Sequence, residues 1–352
     1  MIVFKFILSI IYGLLVRFRL LLFRLGVLKQ SSVDAYVISI GNLTVGGTGK
    51  TPIVDAVVKM IEASDMKAGI VSRGYRGTYS GNQRVLLGTG AAKKFGDEPV
   101  TLKMLNPKVP VVVGRKRVDA CRELLKANKV DRIVADDAYQ HLYLKRQLNI
   151  LLVDVTEKLE NYKMAPLGKL REPMSEISRA DVILLTKANL VFEDSEKQAV
   201  RSFIEEELKK INRRVPVIEV YFRNATYCDL NQLKSLDINS SELKTESLDQ
   251  LSDKVGLASG LGNPVAFHLS LLKSHPDLDV EFNLDFPDHA EFNQMNRDLI
   301  EEHCKTRGVQ TLIVTQKDAV KLLDWNPENL RVLVVNLEVE FERDVRNYFE
   351  LH

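Results

Sequence analysis

Thr44-Val45-Gly46-Gly47-Thr48-Gly49-Lys50-Thr51, with Pro52 directly behind it, is the stretch whose reading decides the fold. It follows a β-branched run over Tyr36–Ile40 and precedes helical periodicity over Lys50–Ser64. That strand-loop-helix context is the one in which a glycine-rich loop wraps phosphates. Glycines let several backbone N–H groups converge on an anion, and the helix N-terminus adds partial positive charge. Lys50 then neutralises charge on the β- and γ-phosphates, and the Thr51 hydroxyl is placed to ligate Mg²⁺. Thr44 stands where GxxxxGK[ST] usually has its first glycine, which the loop tolerates if that backbone needs no positive φ. The residues expected to cradle nucleotide are therefore Thr44, Val45, Gly46, Gly47, Thr48, Gly49, Lys50 and Thr51.

A loop of this kind needs a carboxylate at the end of another strand to organise magnesium. Asp136 and Asp137, after the run Arg132–Ala135, fit that role, and the sequence does not say which of them serves the metal. Leu184-Leu185-Thr186-Lys187-Ala188-Asn189 ends a strand where a guanine reader would carry an aspartate, and Asn at 189 makes ATP the expected nucleotide. Around these elements, short apolar runs alternate with helical stretches, the pattern of a largely parallel sheet covered by helices. Strands are expected at 68–72, 110–113, 149–154 and 182–185, with helices over 115–127 and 195–213. A polar stretch from Asn224 to Lys254 marks a domain junction near its start. The alternation then resumes, with strands at 255–259, 280–284, 311–315 and 331–337 and helices over 264–274 and 291–306.

The 352 residues suit two domains better than one. Lys plus Arg number 49 against 47 Asp plus Glu, so global charge offers no reason to expect a nucleic-acid partner. Cys121, Cys228 and Cys304 lie far apart, and the histidines form no HExxH, which argues against a disulfide framework or a zinc site. Residues 1–29 carry Lys5, Arg17, Arg19, Arg24 and Lys29 with no acid, among apolar residues. The longest charge-free run, Phe6–Val16, falls short of the ~20 residues of a spanning helix, and Arg17-Phe18-Arg19 is no signal-peptidase site. Two readings stay open: a helix in the membrane interface, and an N-terminal helix packed on the body.

Further strings sit around this frame: Ser72-Arg73-Gly74-Tyr75-Arg76-Gly77, Gly96-Asp97-Glu98-Pro99, Asp136-Asp137-Ala138-Tyr139-Gln140-His141, Leu170-Arg171-Glu172-Pro173, Gly260-Leu261-Gly262-Asn263-Pro264, Phe286-Pro287-Asp288-His289 and Thr315-Gln316-Lys317-Asp318-Ala319. In this order, and over nearly the whole chain, they resemble the signature set of the tetraacyldisaccharide 4′-kinases of lipid A synthesis. The resemblance implies an α/β fold: a P-loop NTPase-like kinase domain with a second, smaller α/β domain and an N-terminal membrane-associating helix. The blocks are then 1–30 for the helix, 31–222 for the kinase domain and 223–352 for the smaller domain. It implies transfer of the ATP γ-phosphoryl group to the 4′-hydroxyl of an acylated disaccharide 1-phosphate, with Mg²⁺, giving lipid IVA.

Carried over by matching string, Asp97 is the catalytic base, paired with His289, and Lys50 serves catalysis from the P-loop. Tyr75, Glu98, Arg117, Gln140, His141 and Arg171 are the residues expected to bind substrate. With Asp97 and His289 in different blocks, domain closure is expected to complete the site. Taken singly, Asp97 reads as an ordinary acid before proline and His289 as a capping histidine. The chain departs from the family strings at Ala138, where glycine is usual, in the 165–171 region, and at Gln316. The resemblance further implies a peripheral enzyme on the cytoplasmic face of the bacterial inner membrane, with no obligate protein partner. The competing reading is a P-loop ATPase or switch protein acting through a partner.

Overall fold

The computed structural model describes residues 2–191, 193–235, 244–251 and 253–351; residues 236–243 of the polar stretch expected at the junction thus lie outside the described residues. The chain divides into two compact units. One comprises residues 1–73, 114–222 and 339–352, and the other residues 74–113 and 223–338. Residues 74–113 cluster with the C-terminal part, and the last residues return to the first unit.

In the first unit the strands Ala68–Ser72, Arg132–Asp136, Tyr36–Asn42, Leu148–Asp154 and Val182–Thr186 lie side by side in that order, all parallel. The start of the strand Val217–Asp229 pairs with Val182–Thr186 at the end of the row. Their residues are almost all buried, as in a parallel sheet covered on both faces. Ile38, Ile53, Ile61, Ile70 and Leu124 are fully buried. Each such side chain stabilises the fold by roughly 1.5–3 kcal/mol relative to leaving it exposed. The register sets Ile40 beside Asp136 and Asp154 beside Thr186, so the carboxyl ends of these strands gather at one edge. Ligands of open α/β sheets bind at that edge.

The second unit repeats the logic with its own core around Leu257, Leu271, Ile313 and Leu333. The strands Val280–Asp285, Val255–Ser259, Thr311–Thr315 and Arg331–Phe341 run parallel in that order. Helix Pro264–Ser274 starts where the sequence signals it: Asn263 accepts from the Ala266 N–H and Pro264 occupies the first turn. The helices Ala91–Phe95 and Asp97–Leu105 belong to this unit as well.

The N-terminal helix is continuous over Ile2–Arg24. Its 23 residues are, by length and composition, enough to cross a bilayer. This corrects the expectation drawn from the short charge-free run, because the helix runs straight through Arg17 and Arg19. One stripe packs on the first unit: Leu20 is buried, Ser9 donates to the Met164 carbonyl at 2.8 Å, Tyr12 to that of Arg171 at 2.9 Å and Arg19 to that of Gln140 at 2.8 Å. The remaining faces expose Phe4, Phe6, Ile10, Leu14 and Phe18. The packed reading thus holds for one side of the helix, and the other sides present apolar surface.

Candidate active site

The loop after the strand Tyr36–Asn42 is fixed from several directions. Val45 N–H donates to the Lys169 carbonyl, and Arg171 N–H to that of Leu43, both at 2.7 Å. From the strand Val182–Thr186, the Thr186 hydroxyl donates to the Thr48 carbonyl at 2.9 Å and Lys187 Nζ to that of Gly47 at 2.7 Å. Lys187 is itself held by Asp154. The positive φ values of the loop fall on Gly46 at 128° and Gly49 at 80°, so Thr44 meets the condition for replacing the usual glycine. A Cβ on Gly46 or Gly47 would meet open space, whereas one on Gly49 would strike the Phe222 ring at 2.4 Å. The loop is thus an open cradle of backbone at the start of helix Lys50–Ala63, as a triphosphate requires. Asn189 spends its amide on the backbone of Phe222, at 2.7 and 2.9 Å, where a guanine reader would face a base.

Beside the loop stand the two aspartates. Asp137 sits in the left-handed region at φ 47°, 3.6 Å from Lys50 Nζ, with Arg171 Nη1 at 3.1 and 3.3 Å from its two oxygens. Ala138, where the family has glycine, has no positive φ, so its side chain causes no strain. Burial pushes the Asp137 carboxyl up, but Lys50, Arg171 and Arg117 outweigh it and hold the carboxyl below its usual range. Asp136 is raised, by burial first and the Asp137 charge second. Its Oδ2 accepts from Ser72 at 2.8 Å, while Oδ1 is buried with no hydrogen-bond partner among the described residues.

That orphaned oxygen, with Thr51 opening the adjacent helix, fits magnesium, which takes one or two protein oxygens and completes its shell from phosphates and water. No cluster of three or more His, Cys, Asp or Glu forms a separate metal cage among the described residues.

The same unit holds other expected substrate residues in supporting positions. Arg117, 2% exposed, donates to the carbonyls of Gly114 and Asp136 and so shapes the aspartate turn. Gln140 Nε2 donates to the Asn42 carbonyl at 2.8 Å. His141 Nε2 accepts from Arg117 N–H at 3.3 Å, and burial, then Arg117, lower its pKa to about 4, leaving a neutral imidazole.

The other group of residues lies wholly in the second unit. His289 Nδ1 and Asp97 Oδ2 are 2.7 Å apart across 192 residues of chain. Because both belong to one compact unit, the pair is made without any closure, contrary to the sequence expectation. Asp97 opens helix Asp97–Leu105, whose N-terminus favours a carboxylate, and its Oδ1 accepts from Glu98 N–H at 3.0 Å. Burial raises the Asp97 carboxyl, but the His289 hydrogen bond and then Lys317 bring it below its usual range, so it is ionised at neutral pH. His289 itself sits at φ 63°, with its N–H on the Gly260 carbonyl at 3.2 Å. The Tyr75 ring lies 5.9 Å from the imidazole.

Sequence reasoning singled out the GLGNP, FPDH and TQKDA strings without seeing how they join. All three follow carboxyl ends of neighbouring parallel strands. Asp318 ties the first and third together, its Oδ2 accepting from Gly260 N–H at 3.0 Å and the Thr315 hydroxyl at 2.7 Å, and the second joins through His289 N–H on the Gly260 carbonyl. Lys317 was missed. Its Nζ lies 3.0 Å from Asp288 Oδ1, 3.5 Å from His289 Nε2 and 3.9 Å from Asp97 Oδ2. Lys187 and Asp154 were missed too; a lysine directly after a strand end was the available signal.

Residues 2–351 match the family model described as LpxK, tetraacyldisaccharide-1-P 4′-kinase. A tetraacyldisaccharide 4′-kinase of Bdellovibrio bacteriovorus is 35% identical over 335 residues, 94% of this chain and 93% of that protein. One from Halothermothrix orenii is 31% identical over 354 residues, covering 97% and 90% respectively. The crystal structure of an "apo" form of LpxK from Aquifex aeolicus in complex with ATP superposes with a TM-score of 0.74 at 28% identity, over 98% of this chain and 96% of that one.

Proposed function

The chain belongs to the tetraacyldisaccharide-1-P 4′-kinase family, and from that premise we propose which of its residues carry the reaction. The reaction is transfer of the ATP γ-phosphoryl group to the 4′-hydroxyl of a tetraacyldisaccharide 1-phosphate, forming lipid IVA in lipid A biosynthesis. Phosphoryl transfer asks a protein mainly for positioning and charge stabilisation. In this reading Thr44 through Thr51 wrap the triphosphate and Lys50 stabilises charge on its terminal phosphates. Thr51, Asp136 and Asp137 would hold Mg²⁺ directly or through water. The ion, when bound, supplies further neutralisation of phosphate charge. Arg117 fixes the aspartate turn, Arg171 orients Asp137, and Gln140 and His141 shape the wall beside them.

Asp97 receives the proton of the acceptor hydroxyl, and His289 orients the carboxylate; Tyr75 and Glu98 flank the acceptor. The observation that carries this assignment is the 2.7 Å contact between Asp97 Oδ2 and His289 Nδ1. A P-loop ATPase or switch acting through a partner would have no use for that pair. In this reading the first unit supplies the nucleotide loop, and the second, which holds residues 74–113 and 223–338, supplies both Asp97 and His289.

The acylated acceptor is a membrane lipid, and the N-terminal helix is the part read as meeting the membrane. Its exposed apolar faces and its acid-free composition, with Lys5 and Arg17, support attachment at an anionic cytoplasmic leaflet. The placement proposed is peripheral, on the cytoplasmic face of the bacterial inner membrane, with no obligate protein partner. Incubation with ATP, Mg²⁺ and a tetraacyldisaccharide 1-phosphate, read by mass, tests the assignment. The wild type should give the phosphorylated disaccharide, and Asp97→Ala should bind ATP without giving it. Equal ATP hydrolysis with and without glycolipid, and no new product, would favour the ATPase reading.

A further inference from the structure

We propose that Lys317 is a positioning residue of the phosphoryl transfer, whose ammonium keeps the His289 imidazole neutral with its proton on Nδ1, so that Asp97 stays a proton acceptor. The proposal rests on the assignment of Asp97 and His289 made above. The geometry is specific. The ammonium is 3.5 Å from His289 Nε2, the nitrogen that a second proton would occupy, and Asp288 Oδ1 holds it there at 3.0 Å. A cation at that distance opposes protonation of Nε2, while the Asp97 carboxylate at 2.7 Å favours the proton on Nδ1.

Other charges face the ring. Asp288 Oδ2 lies 3.7 Å from Nε2 and favours the imidazolium. Arg76 reaches the Asp288 carbonyl at 3.4 Å and Lys321 is paired with Asp318 at 2.8 Å. Without Lys317, the ring would sit between the carboxylates of Asp97 and Asp288 with no cation of its own. It would then protonate more readily. An imidazolium bonded to Asp97 would strip the carboxylate of basicity far more than an ammonium 3.9 Å away does.

In the transfer step the 4′-hydroxyl oxygen forms the bond to the γ-phosphorus as the bond to the β,γ-bridging oxygen breaks, its electron pair leaving with ADP. The hydroxyl proton passes to the Asp97 carboxylate, which must therefore be free to take it. Lys317 touches neither the hydroxyl nor the phosphorus in this account; it sets the protonation state of the group behind the base.

The test is the titration of His289 in the full-length protein, labelled with ¹⁵N-histidine and assigned by the signal lost in His289→Gln. Lys317→Met should raise the His289 midpoint by about one pH unit and Lys317→Arg should restore it. The acid limb of kcat/KM should shift by the same interval, whereas a merely structural lysine would lower the rate equally at every pH. Asp288→Asn, which removes an anion from Nε2, should move the midpoint down, and serves if Lys317→Met does not fold. An unmoved or lowered midpoint in Lys317→Met, or a raised one in Asp288→Asn, overturns the proposal. The titration is read without turnover. If Asp97→Ala and His289→Ala turn over normally while the midpoint shifts as stated, the assignment of the base fails and the electrostatic role of Lys317 stands.

Discussion

Lys187 Nζ donates to the carbonyl oxygen of Gly47 at 2.7 Å, so a lysine from the end of the strand Val182–Thr186, two places along the sheet, holds the middle of the phosphate loop. Asp154 anchors that lysine, and its own Oδ1 is taken by Thr156. Both side chains of the pair are close to nine-tenths buried. The loop is therefore held by protein contacts of its own.

Lys187→Met should leave Asp154 buried without its cation and free the Gly47 carbonyl. A loss of about 3 kcal/mol in stability is expected. The KM for ATP should rise about tenfold, with a smaller effect on kcat. Denaturant titration and steady-state kinetics check both.

Arg171 and Lys50 both pair with Asp137, and the Arg171 main chain is bonded to Leu43 at the start of the loop. Arg171→Ala should lower kcat by about 10–100-fold, as expected for removing a fixed charge beside the reacting phosphates. Arg171→Lys, which keeps a point charge next to Asp137, should retain more activity than alanine. Initial rates at saturating ATP distinguish the two.

How much of this could be read from residues alone depended on range. The phosphate loop was legible because its glycines, Lys50 and Thr51 are contiguous and their chemistry is local. The helix Pro264–Ser274 was legible near its observed place, and Asn263 and Pro264 fix its start. Helix Asp97–Leu105 was passed over, although Asp97, Glu98 and Pro99 in its first turn are a start signal, because its apolar residues show little helical periodicity. The strand Val217–Asp229 was missed altogether, and its second half, with Asn224, Thr226 and Asp229, looks like loop. Pairing of Asp97 with His289 came only from the family strings. Lys317 and Asp288 act through contacts that no local pattern encodes, and for Lys187 the only local signal was its place directly after a strand end.

His141 gives a pH dependence of stability. Unfolded, its imidazole takes up a proton near 6.5; folded, only near 4, because burial and the neighbouring arginines oppose the charge. Between those values the unfolded chain binds more protons, so stability is full above the upper value and falls as pH drops through the window. The slope is at most about 1.4 kcal/mol per pH unit. Melting temperatures of wild type and His141→Gln at neutral and mildly acidic pH should converge as pH falls.

The N-terminal helix offers a test of membrane binding that leaves the catalytic residues untouched. Phe6 and Leu14 are 52% and 59% exposed, whereas Ser9 and Leu20 face the body. Phe6→Glu with Leu14→Glu should abolish flotation with anionic vesicles while ATP binding persists. Undiminished flotation would count against the helix as the membrane contact.

The measurement closest to the central claim is the rate of phosphate transfer to the glycolipid in Asp97→Ala, His289→Ala and the double variant. Residues acting as one unit are strongly non-additive. Each single variant should bind ATP normally and lose at least about 100-fold in rate, with the double losing little more. Near-normal transfer in both single variants, or losses that multiply in the double, would contradict the account.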